Sequence, residues 1–129
     1  MRQLPVLFLM SALAFVAEAA GPASIEPKAL NDRIAWADRS LVVLDVRTQA
    51  EYAEGHIPGA INIPHTELAA RVAELAGARD SDIVVYCKAG PRATEAIGVL
   101  GKQGFKRLYH LNGDYTRWSE EKRPVVKPQ

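Results

Sequence analysis

The chain has 129 residues, with 16 Lys and Arg against 15 Asp and Glu, a formal net charge of +1. Such a balance lacks the clustered basic footprint that nucleic-acid binding requires. Cys87 is the only cysteine, so no disulfide can form within one chain, and the fold must rest on an apolar core that roughly 110 residues can supply as one domain.

The first segment reads as an export signal. Met1-Arg2-Gln3 carries one positive charge, an apolar run extends from Leu4 to Val16, and Ala17-Glu18-Ala19-Ala20 supplies small residues. The run is about 13 residues, shorter than the roughly 18 to 20 needed to span a bilayer. Cleavage is expected before Ala20, removing residues 1–19 and leaving a domain over 22–126. Arg2 and Glu18 leave together, so the charge stays near +1. No membrane attachment is expected after cleavage, and the expected location is a bacterial periplasm. A lone thiol in an oxidising compartment is either buried and inert or reactive for a reason.

Beyond the signal, helical and strand-like patterns alternate, which argues for α/β. Pro27 to Ala37 spaces Leu30, Ile34 and Ala37 at helical intervals. Leu41 to Val46 is a near-continuous apolar run, the mark of a strand buried on both faces. Thr48-Gln49-Ala50-Glu51 fits a capping box for a short helix that Gly55 ends. Gly55 to Gly59 is a turn and Ala60 to Ile63 a short strand. A helix is expected from Thr66 to Ala76, with Leu68, Val72 and Leu75 along one stripe. Asp82 to Tyr86 is a second buried strand, Arg92 to Gln103 a helix stopped by Gly104, Leu108 to Leu111 a strand, and Asp114 to Glu121 a last helix. Lys122 to Gln129 is a tail that packs or frays. Trp36 and Trp118 are read as packing residues.

Cys87 ends the second buried strand, and Cys87-Lys88-Ala89-Gly90-Pro91-Arg92 leads into a helix. A helix start presents unpaired amides and favours negative charge. With Lys88 and Arg92 nearby, the thiolate, which is the nucleophilic form, is favoured. Gly90 can turn successive amides toward one centre as an anion nest. Pro91 suits the first helical position, where its missing N–H matters least. Lys88, Ala89, Gly90, Arg92 and Ala93 are thus the expected cradle. The competing reading is a small buried hydrophobe at a strand end.

Three stretches, Leu44-Asp45-Val46-Arg47-Thr48 with Glu51-Tyr52, Gly55-His56-Ile57-Pro58-Gly59-Ala60-Ile61-Asn62-Ile63-Pro64, and Tyr86-Cys87-Lys88-Ala89-Gly90-Pro91-Arg92-Ala93, resemble the sequence blocks of rhodanese domains in the same order. Leu111-Asn112-Gly113, Trp118 and Arg123-Pro124-Val125 are similar to the family's closing block. The exported one-domain layout is similar to that of the periplasmic phage-shock rhodaneses. The expected fold is therefore a single α/β domain with an open, mostly parallel five-stranded sheet and helices on both faces. Ligands in such sheets bind at the carboxyl ends of the strands.

The resemblance implies a persulfide cycle: Cys87 takes the outer sulfur of thiosulfate or a similar small anionic donor, and passes it to cyanide or a thiol. A protein acceptor is a further partner of this chemistry, no metal or organic cofactor is needed, and a monomer is expected. Asp45 and Arg47 are expected to brace the loop, since buried charges usually persist in pairs. Glu51 is spaced to pair with Arg47 or to complete the helix cap. His56 is expected to serve its turn, and it shares no metal-ligand spacing with His65 or His110. Two departures stand out. Asp114 follows Gly113 where many relatives have a second glycine, and beside the pocket its charge would weaken anionic donors. Ala93 replaces a frequent serine, with a modest effect of about 1 kcal/mol for one hydrogen bond. The rivals are a phosphatase or arsenate reductase on the same scaffold, whose loops carry one more residue than the six positions from Cys87 to Arg92, and a non-enzymatic sulfur carrier or binding module.

Overall fold

The computed structural model describes residues 2–5 and 23–128; the proposed signal segment lies mostly outside them. Five strands, β1 (Ala23–Ile25), β2 (Leu41–Asp45), β3 (Ile61–Asn62), β4 (Asp82–Tyr86) and β5 (Leu108–Leu111), form one sheet in the order β1-β5-β4-β2-β3. Every pairing between them is parallel. The helices are α1 (Pro27–Ala35), α2 (Gln49–Glu54), α3 (Leu68–Arg71), α4 (Pro91–Lys102) and α5 (Asp114–Glu120).

Alternation along the central strands sorts the core into two layers. Leu44, Ile83, Val85 and Cys87 pack with Leu68 of α3 and Ala93, Ala96, Ile97 and Leu100 of α4. Val43, Val84 and Tyr86 face the other way, with Leu30 of α1 and Trp118 of α5. All five residues of β4 are buried, as the continuous apolar run requires when helices cover both faces.

Two expectations need correction, and one strand went unforeseen. The helix expected over Thr66 to Ala76 is only Leu68–Arg71, followed by a 3-10 stretch, Val72–Ala78. Arg71 has φ −112° and ψ 9°, which breaks the regular turn, yet Leu68, Val72 and Leu75 all remain buried. Trp36 does not pack: it caps α1, Ala37 follows with φ 53°, and the indole is 77% exposed. Strand β1 has no pattern of its own and exists through its pairing with β5, from Ala23 opposite Tyr109 to Ile25 opposite Leu111. The tail packs: Val126 bridges His56, and Trp118 Nε1 donates to the Pro124 carbonyl at 2.8 Å.

Candidate active site

Three segments converge beyond the carboxyl ends of β2, β4 and β5. They are Val46 to Thr48, Cys87 to Gly90, and Asn112 to Asp114. Cys87 leaves β4 on the α4 face and is 1% exposed, and the next two residues, Lys88 and Ala89, are exposed. Gly90 has φ +123°, a backbone open to glycine alone, and this geometry turns its N–H onto the Cys87 Sγ at 3.0 Å. The loop is also held from α5, where the Tyr115 N–H donates to the Cys87 carbonyl at 2.9 Å. Thr116 binds the Lys88 carbonyl through its N–H at 3.1 Å and its hydroxyl at 2.8 Å.

Of the five residues expected to cradle the sulfur, Gly90 is the one whose amide donates to Sγ. Arg92 turns elsewhere: its two terminal nitrogens bind the Glu51 carboxylate at 2.6 and 3.0 Å. Ala93 is fully buried in the apolar layer under the loop. Lys88 lines a cleft of about 510 Å³ together with Arg47, Glu51, Tyr115 and Thr116.

Glu51 does two jobs, and neither is the pairing with Arg47. Its carboxylate accepts from the Thr48 N–H at 3.2 Å while its own N–H donates to the Thr48 hydroxyl, completing the capping box. The same carboxylate holds Arg92, so α2 and the start of α4 are tied together. The Arg92 guanidinium and the Thr48 cap hold the Glu51 carboxyl down to about 2, against the opposing effect of partial burial.

Asp45 and Arg47 are 0% and 3% exposed and pair with each other at 2.7 Å. The Asp45 carboxylate also accepts from the Arg47 N–H at 2.9 Å and the Tyr86 hydroxyl at 2.7 Å. Arg47 donates onward to the Gly55 carbonyl at 2.7 Å and lies 4.1 Å over the Tyr115 ring. The Tyr86 hydroxyl accepts from the buried Ile57 N–H at 3.1 Å. Burial, and then the Asp45 charge, raise the Tyr86 phenol far above its usual range, so it remains a donor. This network reaches the loop through Tyr115, whose N–H holds the Cys87 carbonyl.

The sequence did not indicate the partners of Asp114. Its Oδ1 accepts from the Cys87 N–H at 3.0 Å, lies 3.6 Å from Sγ, and is 2.9 Å from His110 Nε2. The one available signal was the acidic residue directly after Gly113, four positions beyond a histidine. His56 stacks on Tyr52 at 3.7 Å, and its Nδ1 is 2.9 Å from the Tyr52 carbonyl. Among the described residues, no three His, Cys, Asp or Glu side chains are grouped to hold a metal ion.

The Rhodanese-like domain family model matches residues 26–121. A sulfurtransferase of Allochromatium vinosum is 35% identical over 105 residues, which cover 81% of this chain and 95% of that protein. The putative sulfur carrier protein YrkF of Bacillus subtilis is 37% identical over 82 residues, 64% of this chain and 43% of that longer protein. Among solved structures, a rhodanese-related protein of Thermoplasma volcanium matches with a TM-score of 0.70 at 34% identity, covering 81% of this chain and 97% of that one. With the fold, the strand-end cysteine loop and these likenesses in agreement, the chain belongs to the rhodanese-like family of sulfurtransferases and sulfur carriers.

Proposed function

We propose that Cys87 receives a sulfane sulfur from thiosulfate or a similar small anionic donor, holds it as a persulfide, and passes it to cyanide or to a thiol on a small molecule or protein. Covalent transfer divides one difficult exchange into two displacements at sulfur. The observation that carries this reading is the Gly90 N–H, 3.0 Å from Sγ, at the junction of β4 and α4. An inert core cysteine would meet apolar groups on every side. Here the sulfur meets an amide donor and a carboxylate oxygen.

In this reading Lys88, exposed at the cleft beside the loop, attracts the anion. Arg92 acts through Glu51 to fix the loop, and Asp45 and Arg47 brace it through Tyr115. Because Cys87 is 1% exposed, its surroundings must open to admit the donor. The cycle calls on no metal or organic cofactor. Oxyanion-ester hydrolysis fits less well, since both terminal nitrogens of Arg92 are engaged by Glu51. The N-terminal apolar run supports export, and sequencing the N-terminus of the protein recovered from a periplasmic fraction tests cleavage before Ala20.

Incubating the protein with thiosulfate and measuring intact mass should show one added sulfur atom, absent in Cys87→Ser. Turnover to cyanide or small thiols identifies an enzyme. Loading without turnover identifies a carrier, and phosphate-ester turnover without loading refutes the sulfur reading.

A further inference from the structure

We propose that Asp114, backed by His110, is the proton-transfer group of the Cys87 site, and that it fits the site to donors leaving as a thiolate, organic persulfides, in preference to thiosulfate, which leaves as sulfite. The inference rests on sulfur loading at Cys87 as proposed above.

Asp114 is 2% exposed and has φ +53°. The left-handed region is unfavourable for a residue with a Cβ, although Asp and Asn tolerate it better than most. Burying a carboxylate carries a further cost. A residue that combines both costs, directly after Gly113 at φ +80°, points to a role beyond packing. The compensating contacts all fall on Oδ1: the Cys87 amide at 3.0 Å, Sγ at 3.6 Å and His110 Nε2 at 2.9 Å. Oδ2 accepts no hydrogen bond among the described residues, and it lies 3.4 Å from where a Cβ on Gly90 would stand. One oxygen therefore touches the reacting sulfur while the other faces the glycine whose amide holds it.

The other charges around this point are committed elsewhere. Arg92 of α4 pairs with Glu51, and Arg47 beyond β2 pairs with Asp45. On α5, Arg117 pairs with Glu26 and Glu121. Lys88 is exposed. His110 of β5 is the basic partner of Asp114, with Nε2 2.9 Å from Oδ1, and its side chain is 22% exposed, open to solvent. An imidazole changes charge within the physiological pH range.

The step balances as follows. The Cys87 thiol yields its proton through Asp114 Oδ1 to His110, leaving an imidazolium–carboxylate pair. The Cys87 thiolate then attacks the outer sulfur of R–S–SH. An Sγ–S bond forms, the S–S bond between that outer sulfur and the R–S group breaks, and the departing thiolate R–S⁻ takes the proton back as R–SH. Cysteine and organic persulfide become protein persulfide and thiol, with no oxidant or reductant consumed. Thiosulfate releases sulfite, a stable anion that does not need this proton, and its two negative charges approach a buried carboxylate. Asp114 thus aids one donor class and opposes the other.

The test compares single-turnover loading of the wild type, Asp114→Asn and Asp114→Gly, by intact mass, with thiosulfate and with glutathione persulfide. Asparagine keeps the shape and an acceptor for the Cys87 amide, and glycine accommodates the positive φ if asparagine does not fold. General acid–base catalysis is worth roughly 10²- to 10⁴-fold, so both variants should lower loading from the persulfide about 10²-fold more than loading from thiosulfate. Across alkyl persulfides whose parent thiols differ in basicity, rates should depend on basicity more steeply in the variants than in the wild type. His110→Gln should alter the pH dependence of persulfide loading, which a merely structural role would not do. Equal losses with both donors, or an unchanged dependence on basicity, overturn this proposal and leave sulfur loading at Cys87 standing. A wild type that loads from neither donor overturns both.

Discussion

Replacing Asp45 with alanine measures how far the loop's support depends on one buried ion pair. Arg47 is 3% exposed, and among the described residues Asp45 is the carboxylate within salt-bridge distance of it. Truncation leaves a buried guanidinium with the Gly55 carbonyl and the Tyr115 ring but no counter-charge. It also orphans the hydroxyl proton of Tyr86. Removing one partner of a buried pair costs about 3–5 kcal/mol. For a domain of this size each kcal/mol shifts the midpoint by roughly 4 °C or more, so the melting temperature should fall by at least about 12 °C. Urea unfolding followed by tryptophan fluorescence suits the measurement, because Trp118 is fully buried. Arg47→Met added to Asp45→Ala should recover stability by removing the unpaired charge. A loss below about 1 kcal/mol for Asp45→Ala, or a double variant whose cost is the sum of the single costs, would refute the bracing argument.

Glu51→Gln should destabilise the protein by about 1–2 kcal/mol through the weakened cap and the lost Arg92 pairing. Because the Glu51 carboxyl is lowered in the folded state to about 2, its contribution is fully present above the ordinary value of about 4.5 and is lost as pH falls through about 2. Melting curves of the wild type and variant should therefore differ at pH 7 and converge toward pH 2. Gly90→Ala forces a side chain onto φ +123°, with a cost of about 1–3 kcal/mol, and should slow sulfur loading as the amide leaves Sγ; loading at the wild-type rate argues against the role of that amide. Trp118→Ala should cost about 3–5 kcal/mol, whereas Trp36→Ser should stay within about 0.5 kcal/mol in the same urea titration.

The central strands and the cysteine loop were legible because their signals are local. Leu41 to Val46 and Asp82 to Tyr86 are apolar runs that only a doubly covered strand explains, and Thr48 with Glu51 names its own helix start. What escaped depends on distant partners. Arg92 and Glu51 are 41 positions apart, and each had a plausible nearer role. Asp114 was noticed as a charge, but its contact with Cys87 spans 27 positions and follows from the way β5 lies beside β4. Strand β1 carries too few residues to show a period, and Trp36 followed the rule for large apolar residues until a left-handed Ala37 turned the chain outward.

The opposite facing of Tyr86 and Cys87 on β4 separates two tasks within one dipeptide. Apart from Asp114 at the start of α5, the side chains of the α1–α5 layer reach the sulfur through the main chain and the contacts of Tyr115 and Thr116 with the loop, so the rest of that layer can drift in sequence without touching the sulfur. Conversely, in the role proposed for Asp114, exchanging it would change the donor the site accepts without dismantling the Asp45–Arg47 pair behind it.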